Sequence, residues 1–169
     1  MADKGVEYIY PPNNLKQKQK LAGVSGTIDP IWLEKAEESI AAVKGDYLAG
    51  VNDDLARLQQ AFDAAMQDTA NRGERVQELY TVIQGIKGQG GSFGYQMMTN
   101  IGSQLCHFIE GTGFAREDGQ MTDVQLGIVK LHIDALRLVI AQKMEGDGGA
   151  VGQKLLAGLA LAIKKVTAQ

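Results

Sequence analysis

LYTVIQGIKGQGGSFGY, running from Leu79 to Tyr95, decides the fold. The same residues read either as a strand followed by a phosphate-binding loop or as a helix with one face stripped of side chains. The stretch holds five glycines, Gly85, Gly88, Gly90, Gly91 and Gly94, beside one lysine, Lys87, directly after a periodic apolar run. A glycine inside a helix costs up to about 1 kcal/mol relative to alanine, so something other than local stability favours them. In the loop reading, Gly88, Gly90 and Gly94 form G-x-G-x-x-x-G, a loosened dinucleotide-binding pattern. In the helix reading, the missing side chains let another protein come close.

The chain around this stretch chooses between the two. Its 169 residues, 44% of them hydrophobic, suffice for one domain with a sizeable core. A formal charge of -3 and a pI near 5.4 provide no basic field, so nucleic acid is not an expected partner. The longest apolar-plus-glycine run, Leu155 to Ile163, falls short of the roughly 20 residues that span a bilayer, and no membrane insertion is expected. The opening MADKGVEYIY lacks the charged-then-apolar layout of a signal peptide, which points to the cytoplasm. Cys106 is the sole cysteine, cannot form an internal disulfide, and reads as a buried, reduced thiol; neither a metal nor a cofactor is expected. All three prolines precede residue 31, which favours an all-α body.

Residues 1–28, with Pro11-Pro12, Asn13-Asn14 and the run KQKQK, show no sustained period and read as a flexible N-terminal arm. Asp29 as N-cap, Pro30 at the first helical position and Ile28 stapled to Leu33 predict a helix start. From there Leu33, Ala36, Ile40, Val43, Tyr47, Val51, Leu55, Leu58, Phe62 and Ala65 keep a three-or-four spacing, the mark of one long amphipathic helix. Asn71 and Glu74 mark the start of a second helix, with Val76, Leu79, Ile83 and Ile86 inward. A third carries Met97, Met98, Ile101, Leu105, Phe108 and Ile109 and stops at the loop Gly111 to Gln120. Thr122 with Gln125 makes a capping box and Met121 with Leu126 a staple for a fourth helix, whose stripe is Ile128, Leu131, Ala135, Leu138 and Val139, ending near Met144. The fifth holds Val151, Leu155, Leu159, Ile163 and Val166. No segment alternates with period two. The expectation is an all-α, up-down antiparallel bundle of about five helices with a four-helix core, occupying residues 29–169.

A dinucleotide site would need LYTVI as a strand, YQMMTNIGSQL as a helix, CHFI as a second strand and Glu110 as the ribose-binding acid. Neither flank supplies the further strands of a doubly wound sheet. Continuing the second helix through the glycines at about 100° per residue separates two faces instead. Leu79, Ile83, Ile86 and Gly90 point to the core, whereas Gln77, Thr81, Gln84, Gly88, Gly91 and Tyr95 line the solvent side. Gln84 then projects from a surface bared by Gly88 and Gly91, the form a docking surface for another protein requires.

The run Gln84-Gly85-Ile86-Lys87-Gly88, with Gly94 ten residues after its first position, resembles the signature of histidine phosphotransfer (HPt) domains. Those domains carry His-x-Leu-Lys-Gly and a further glycine at the same offset. They are helical bundles that relay phosphoryl groups to and from receiver-domain aspartates in two-component phosphorelays. With the helix order, the resemblance covers about residues 31 to 166. One position departs from it in a way that matters for chemistry: Gln84 stands where the family has its phosphorylated histidine. An imidazole nitrogen offers a lone pair to phosphorus, whereas the lone pair of an amide nitrogen is delocalised into the carbonyl. The resemblance therefore implies an inactive phosphotransfer-like domain, not an enzyme, that binds a response-regulator receiver domain or a histidine kinase. Its contacts would be Gln77, Thr81, Gln84, Lys87, Gly88, Gly91 and Tyr95, with Lys87 placing positive charge near an acidic receiver site. The alternative is a helical interaction module unrelated to phosphorelay.

The only two histidines, His107 and His132, are the remaining phosphoacceptor candidates, and both read as ordinary edge-of-core residues without a shared metal-ligand spacing. Glu37, Glu38, Asp53 and Asp54 fall on the polar side of the long helix, a solvated face. Met97 and Met98 sit at core spacing.

Overall fold

The computed structural model of the chain describes residues 30–112 and 121–168. The N-terminal arm, the Ile28–Asp29 helix start and most of the loop from Gly111 to Gln120 lie outside the described residues. Among these residues five α-helices follow one another: α1 (Pro30–Gln67), α2 (Arg72–Gly90), α3 (Gln96–Gly111), α4 (Asp123–Ala141) and α5 (Gly149–Thr167). A single 3-10 turn, Gly91–Phe93, joins α2 to α3. The fold is an all-α helical bundle, with no strand among the described residues. LYTVI lies inside α2 and CHFI inside α3, so the sheet that a dinucleotide site needs is absent from them. No helix among the described residues is long and apolar enough to cross a membrane.

Contacts divide the chain into two compact units, Met1–Ala42 and Val43–Gln169, with the boundary falling within α1. Sequence periodicity extends the apolar stripe to Leu33, but Trp32, Leu33, Ala36 and Val43 are exposed. Periodicity shows which residues share a face; it does not show whether anything covers that face. In the second unit the stripe is buried from Tyr47 through Val51, Leu55, Leu58, Phe62 and Ala65. Gly45 and Gly50 leave the helix unbroken.

That second unit is a bundle closed at both ends. At one end the buried Arg72 donates to the carbonyls of Ala65 (3.0 Å) and Met121 (2.9 Å) and pairs with Asp123 at 2.9 Å, tying the end of α1 to the starts of α2 and α4. At the other, Lys44 of α1 pairs with Glu145 at 2.6 Å, Gly146 N–H donates to the Gly94 carbonyl, and Met97 N–H donates to the Gly146 carbonyl. A buried guanidinium needs such partners, since an unpaired one would lose its hydration without compensation.

Helix starts follow the sequence signals unevenly. Thr122 and Gln125 form the reciprocal capping box at α4. Asn71 does stand at the N-cap of α2, yet its side chain makes no cap bond and turns to Asp68 instead. Helix α4 ends at Ala141, earlier than expected, and its stripe is rotated from expectation. Leu126, Val129, Ile133, Leu136 and Val139 are fully buried, while Leu131 and Leu138 are exposed. The helix is apolar on most of its circumference, so spacing alone does not select the inward arc.

Candidate functional site

Helix α2 turns Val76, Leu79, Ile83, Ile86 and Gly90 into the core. Gln77, Thr81, Gln84 and Gly88 form an exposed ridge on its far side, as the periodicity predicts. Thr81 Oγ1 donates to the Gln77 carbonyl at 3.0 Å, which holds that hydroxyl on the helix. A Cβ added at Gly85 or Gly88 would meet nothing within 4 Å, so these two glycines leave the backbone open to solvent on either side of Lys87 and Gln84. Lys87 itself is half-buried between this ridge and α3. A shallow groove of about 510 Å³ lies beside the ridge between α1 and α2, lined by Arg57, Ala61, Glu78, Thr81 and Val82 among others.

The glycines beyond Gly88 have a different cause. Helix α3 runs back along α2 at close range. A Cβ at Gly90 would lie 2.7 Å from Met98 Cβ and 2.9 Å from the Tyr95 carbonyl oxygen, distances that no unstrained contact allows. Gly102 on α3 faces Lys87, where an added Cβ would come within 3.0 Å of the lysine Cβ. Thr99 Oγ1 stitches the crossing by donating to the Lys87 carbonyl and accepting from Gly91 N–H, both at 2.9 Å. Gly94 adopts φ 82°, a left-handed conformation that glycine enters without Cβ strain.

Two expectations about the ridge require correction. The α-helix does not continue through the glycines: it stops at Gly90, and the 3-10 turn with the left-handed Gly94 redirects the chain. Tyr95, expected on the Gln84 side, is therefore swung into the core at 1% exposure. There its ring lies 5.8 Å from that of Tyr47, with the Lys44 ammonium 5.6 Å above it. Gly91 is exposed, but a Cβ there would meet Gln96 Oε1 at 3.1 Å and Thr99 Oγ1 at 3.5 Å, so it clears space for its own chain.

The chemistry around Gln84 involves Tyr80, which no motif in the sequence marks, and Glu110, expected only as the acid of a dinucleotide site. Tyr80, one turn before it, donates its hydroxyl to the Glu110 carboxylate on α3. That bond is the main cause raising the Tyr80 pKa, while the Gln84 side chain, hydrogen-bonding to the same oxygen, acts in the opposite direction. Gln84 thus stands beside a phenol–carboxylate pair. Burial raises the pKa of nearby Cys106 and favours the protonated thiol, and the Lys87 charge only partly offsets it.

The two histidines part company. His107 is exposed on α3, its Nδ1 2.7 Å from the Ser103 carbonyl, and it lines a groove of about 840 Å³ with Phe108, Ile163 and Val166. His132 is not at the edge of the core but fully inside it, with Nδ1 2.8 Å from the Ile128 carbonyl and Nε2 without a partner. Burial lowers its pKa, so the ring is neutral at physiological pH. No group of three His, Cys, Asp or Glu among the described residues could hold a metal ion. Asp53 and Glu38 are exposed and Asp54 half-buried in an ion pair with Arg57 at 3.2 Å; the Glu37 side chain lies outside the described set. Met97 and Met98 are fully buried.

No protein-family model matches the chain, and neither a curated protein nor a solved structure matches it.

Proposed function

We propose that this chain is a cytoplasmic, HPt-like signalling module that binds a receiver domain or a histidine kinase through the α2 ridge and does not itself carry a phosphoryl group. One observation supports it above the others: Gln84 occupies the phosphoacceptor position of the motif on an exposed helix face, with open backbone at Gly85 and Gly88. Gln77, Thr81 and Lys87 complete the contact surface, and Tyr95 drops out of it. The amide of Gln84 has no nucleophilic lone pair, so docking proceeds without transfer.

Incubation with phosphorylated and unphosphorylated receiver domains from the same genome tests both halves of the proposal. The expected result is binding by calorimetry with no radiolabel moving to this chain. Label on the wild-type chain contradicts the inactive reading, and absence of binding to every receiver and kinase contradicts the partner reading. A Gln84→His variant is expected to gain phosphorylation only in part, because the Glu110 carboxylate bonded to Tyr80 stands near the new phosphoryl charge.

A second reading, a helical interaction module outside phosphorelay, draws on the packing of Gly90, Gly91 and Gly102. These glycines answer to the α2–α3 crossing and need no partner to explain them. Capture of proteins that include no two-component component favours that reading.

A further inference from the structure

Helix α4 carries an apolar stripe that the bundle does not use. Val124, Leu131 and Leu138 are 61%, 43% and 43% exposed. Spaced seven residues apart, they stay within an arc of about 40° at roughly 100° per residue. Gly127, on the same side, is exposed, and a Cβ there would meet nothing within 4 Å. Isolated exposed leucines are ordinary on a protein surface, but a row at this spacing repeats one position of the heptad by which helices pair.

The charges beside the row indicate what fits it. Asp123, Lys130, Asp134 and Arg137 all lie about 60–120° to one side of Leu131. Their order along the helix is minus, plus, minus, plus. Now consider a second α4 laid antiparallel across the first, with a twofold axis at Leu131. Such an axis keeps each flank on its own side and reverses the order. At about 1.5 Å rise per residue, Asp134 stands about 4.5 Å from the axis and the second copy's Lys130 about 1.5 Å along the same direction. Arg137, at about 9 Å, meets the second copy's Asp123 at about 12 Å. Every flanking charge then faces its opposite, and Val124 faces the second copy's Leu138. A parallel pair, related by a twofold along the helix axes, would carry the two charged flanks to opposite sides of the seam, where they do not meet.

Existing bonds are compatible with this. Lys130 already pairs with Asp134 within the helix, so the four charges of two copies close into a ring. Asp123 keeps a 75% exposed side chain while bonded to Arg72. We infer that α4 is the interface of a twofold homodimer, formed by antiparallel pairing of Val124, Leu131 and Leu138 with a second copy of this chain. A single helix pair is a small interface, and the dimer is a micromolar one. This inference stands apart from the receiver-binding proposal, since α4 carries none of the ridge residues.

Sedimentation equilibrium of the full chain, from about 1 to about 500 µM, brackets that affinity range and tests it. The expected result is a reversible monomer–dimer equilibrium. Leu131→Glu, which sets two carboxylates against each other at the twofold, abolishes the dimer, with circular dichroism showing the fold intact. Lys130→Asp places like charges opposite each other and weakens association by about tenfold or more. Adding Asp134→Lys to it restores opposite signs and recovers the dimer. A wild-type chain that stays monomeric throughout overturns the inference, as does a dimer indifferent to Leu131→Glu or a double variant no better than Lys130→Asp alone.

Discussion

The two halves of the glycine stretch look alike in sequence and behave oppositely in the structure. From Gln84 to Gly88 the chain is a helix that buries Ile86 and exposes Gln84 and Gly88, and an added Cβ at either of its glycines meets nothing. From Gly90 to Tyr95 it is a packed reversal, where the glycines make room for Met98, Thr99 and Gln96 and the aromatic residue at its end is buried. Glycine therefore has two causes within ten residues, and only the first leaves anything for a partner. The distinction is measurable, because a methyl group added to each half should act with opposite sign.

Tyr95→Ala should have the largest effect. Deleting a fully buried aromatic ring beside Tyr47 is expected to cost about 3–5 kcal/mol of stability, read from urea unfolding. A loss below about 1 kcal/mol would return Tyr95 to the surface and erase the contrast. Gly90→Ala comes next. Its methyl would overlap Met98 Cβ and the Tyr95 carbonyl, and overpacking of this kind costs about 1–3 kcal/mol. Gly88→Ala, two residues earlier, should instead raise stability by up to about 1 kcal/mol, since the helix gains propensity and nothing is displaced. Equal signs for the two substitutions would contradict the division.

Mild acid, above the carboxylate range, provides a perturbation centred on the core. The ridge from Gln77 to Gly88 contains no histidine, whereas His132 is buried with an unpartnered Nε2 and a lowered pKa. The unfolded chain takes up this proton more readily than the folded one. Stability is accordingly full above the ordinary histidine pKa of about 6.5 and is lost as the pH falls through that value toward the lowered folded one. Unfolding midpoints across that range should decline on acidification, and His132→Leu should flatten the decline. An unchanged slope in that variant would show that another group carries it.

How much of this was legible beforehand depends on the kind of signal. The capping box at Thr122 and Gln125 was readable because both partners lie in one local motif. The core face of α2 was readable because Leu79, Ile83 and Ile86 allow only one inward arc. The fate of Tyr95 was not. It turns on Gly94 entering the left-handed region, and a wheel projection assumes that the helix goes on. Leu131 and Leu138 were misplaced because α4 is apolar on both sides, and only the neighbouring helices select which side is covered. The Tyr80–Glu110 bond joins residues thirty apart and leaves no local trace, although both flank the motif position once α2 and α3 are antiparallel. Arg72 is similar, since its partners come from two segments, Ala65 at the end of α1 and Met121 with Asp123 at the start of α4.

The account stands on the open half being a surface that a receiver or kinase domain meets. Gly88→Trp fills that surface without entering the core, because nothing lies within 4 Å of the added Cβ. Calorimetric titration of the wild-type chain and this variant with receiver and kinase domains from the same genome measures the claim directly. The predicted result is binding by the wild type, weakened by at least about tenfold in the variant, with the unfolding midpoint not lowered. Equal affinity for both chains, or no binding by the wild type, would contradict it.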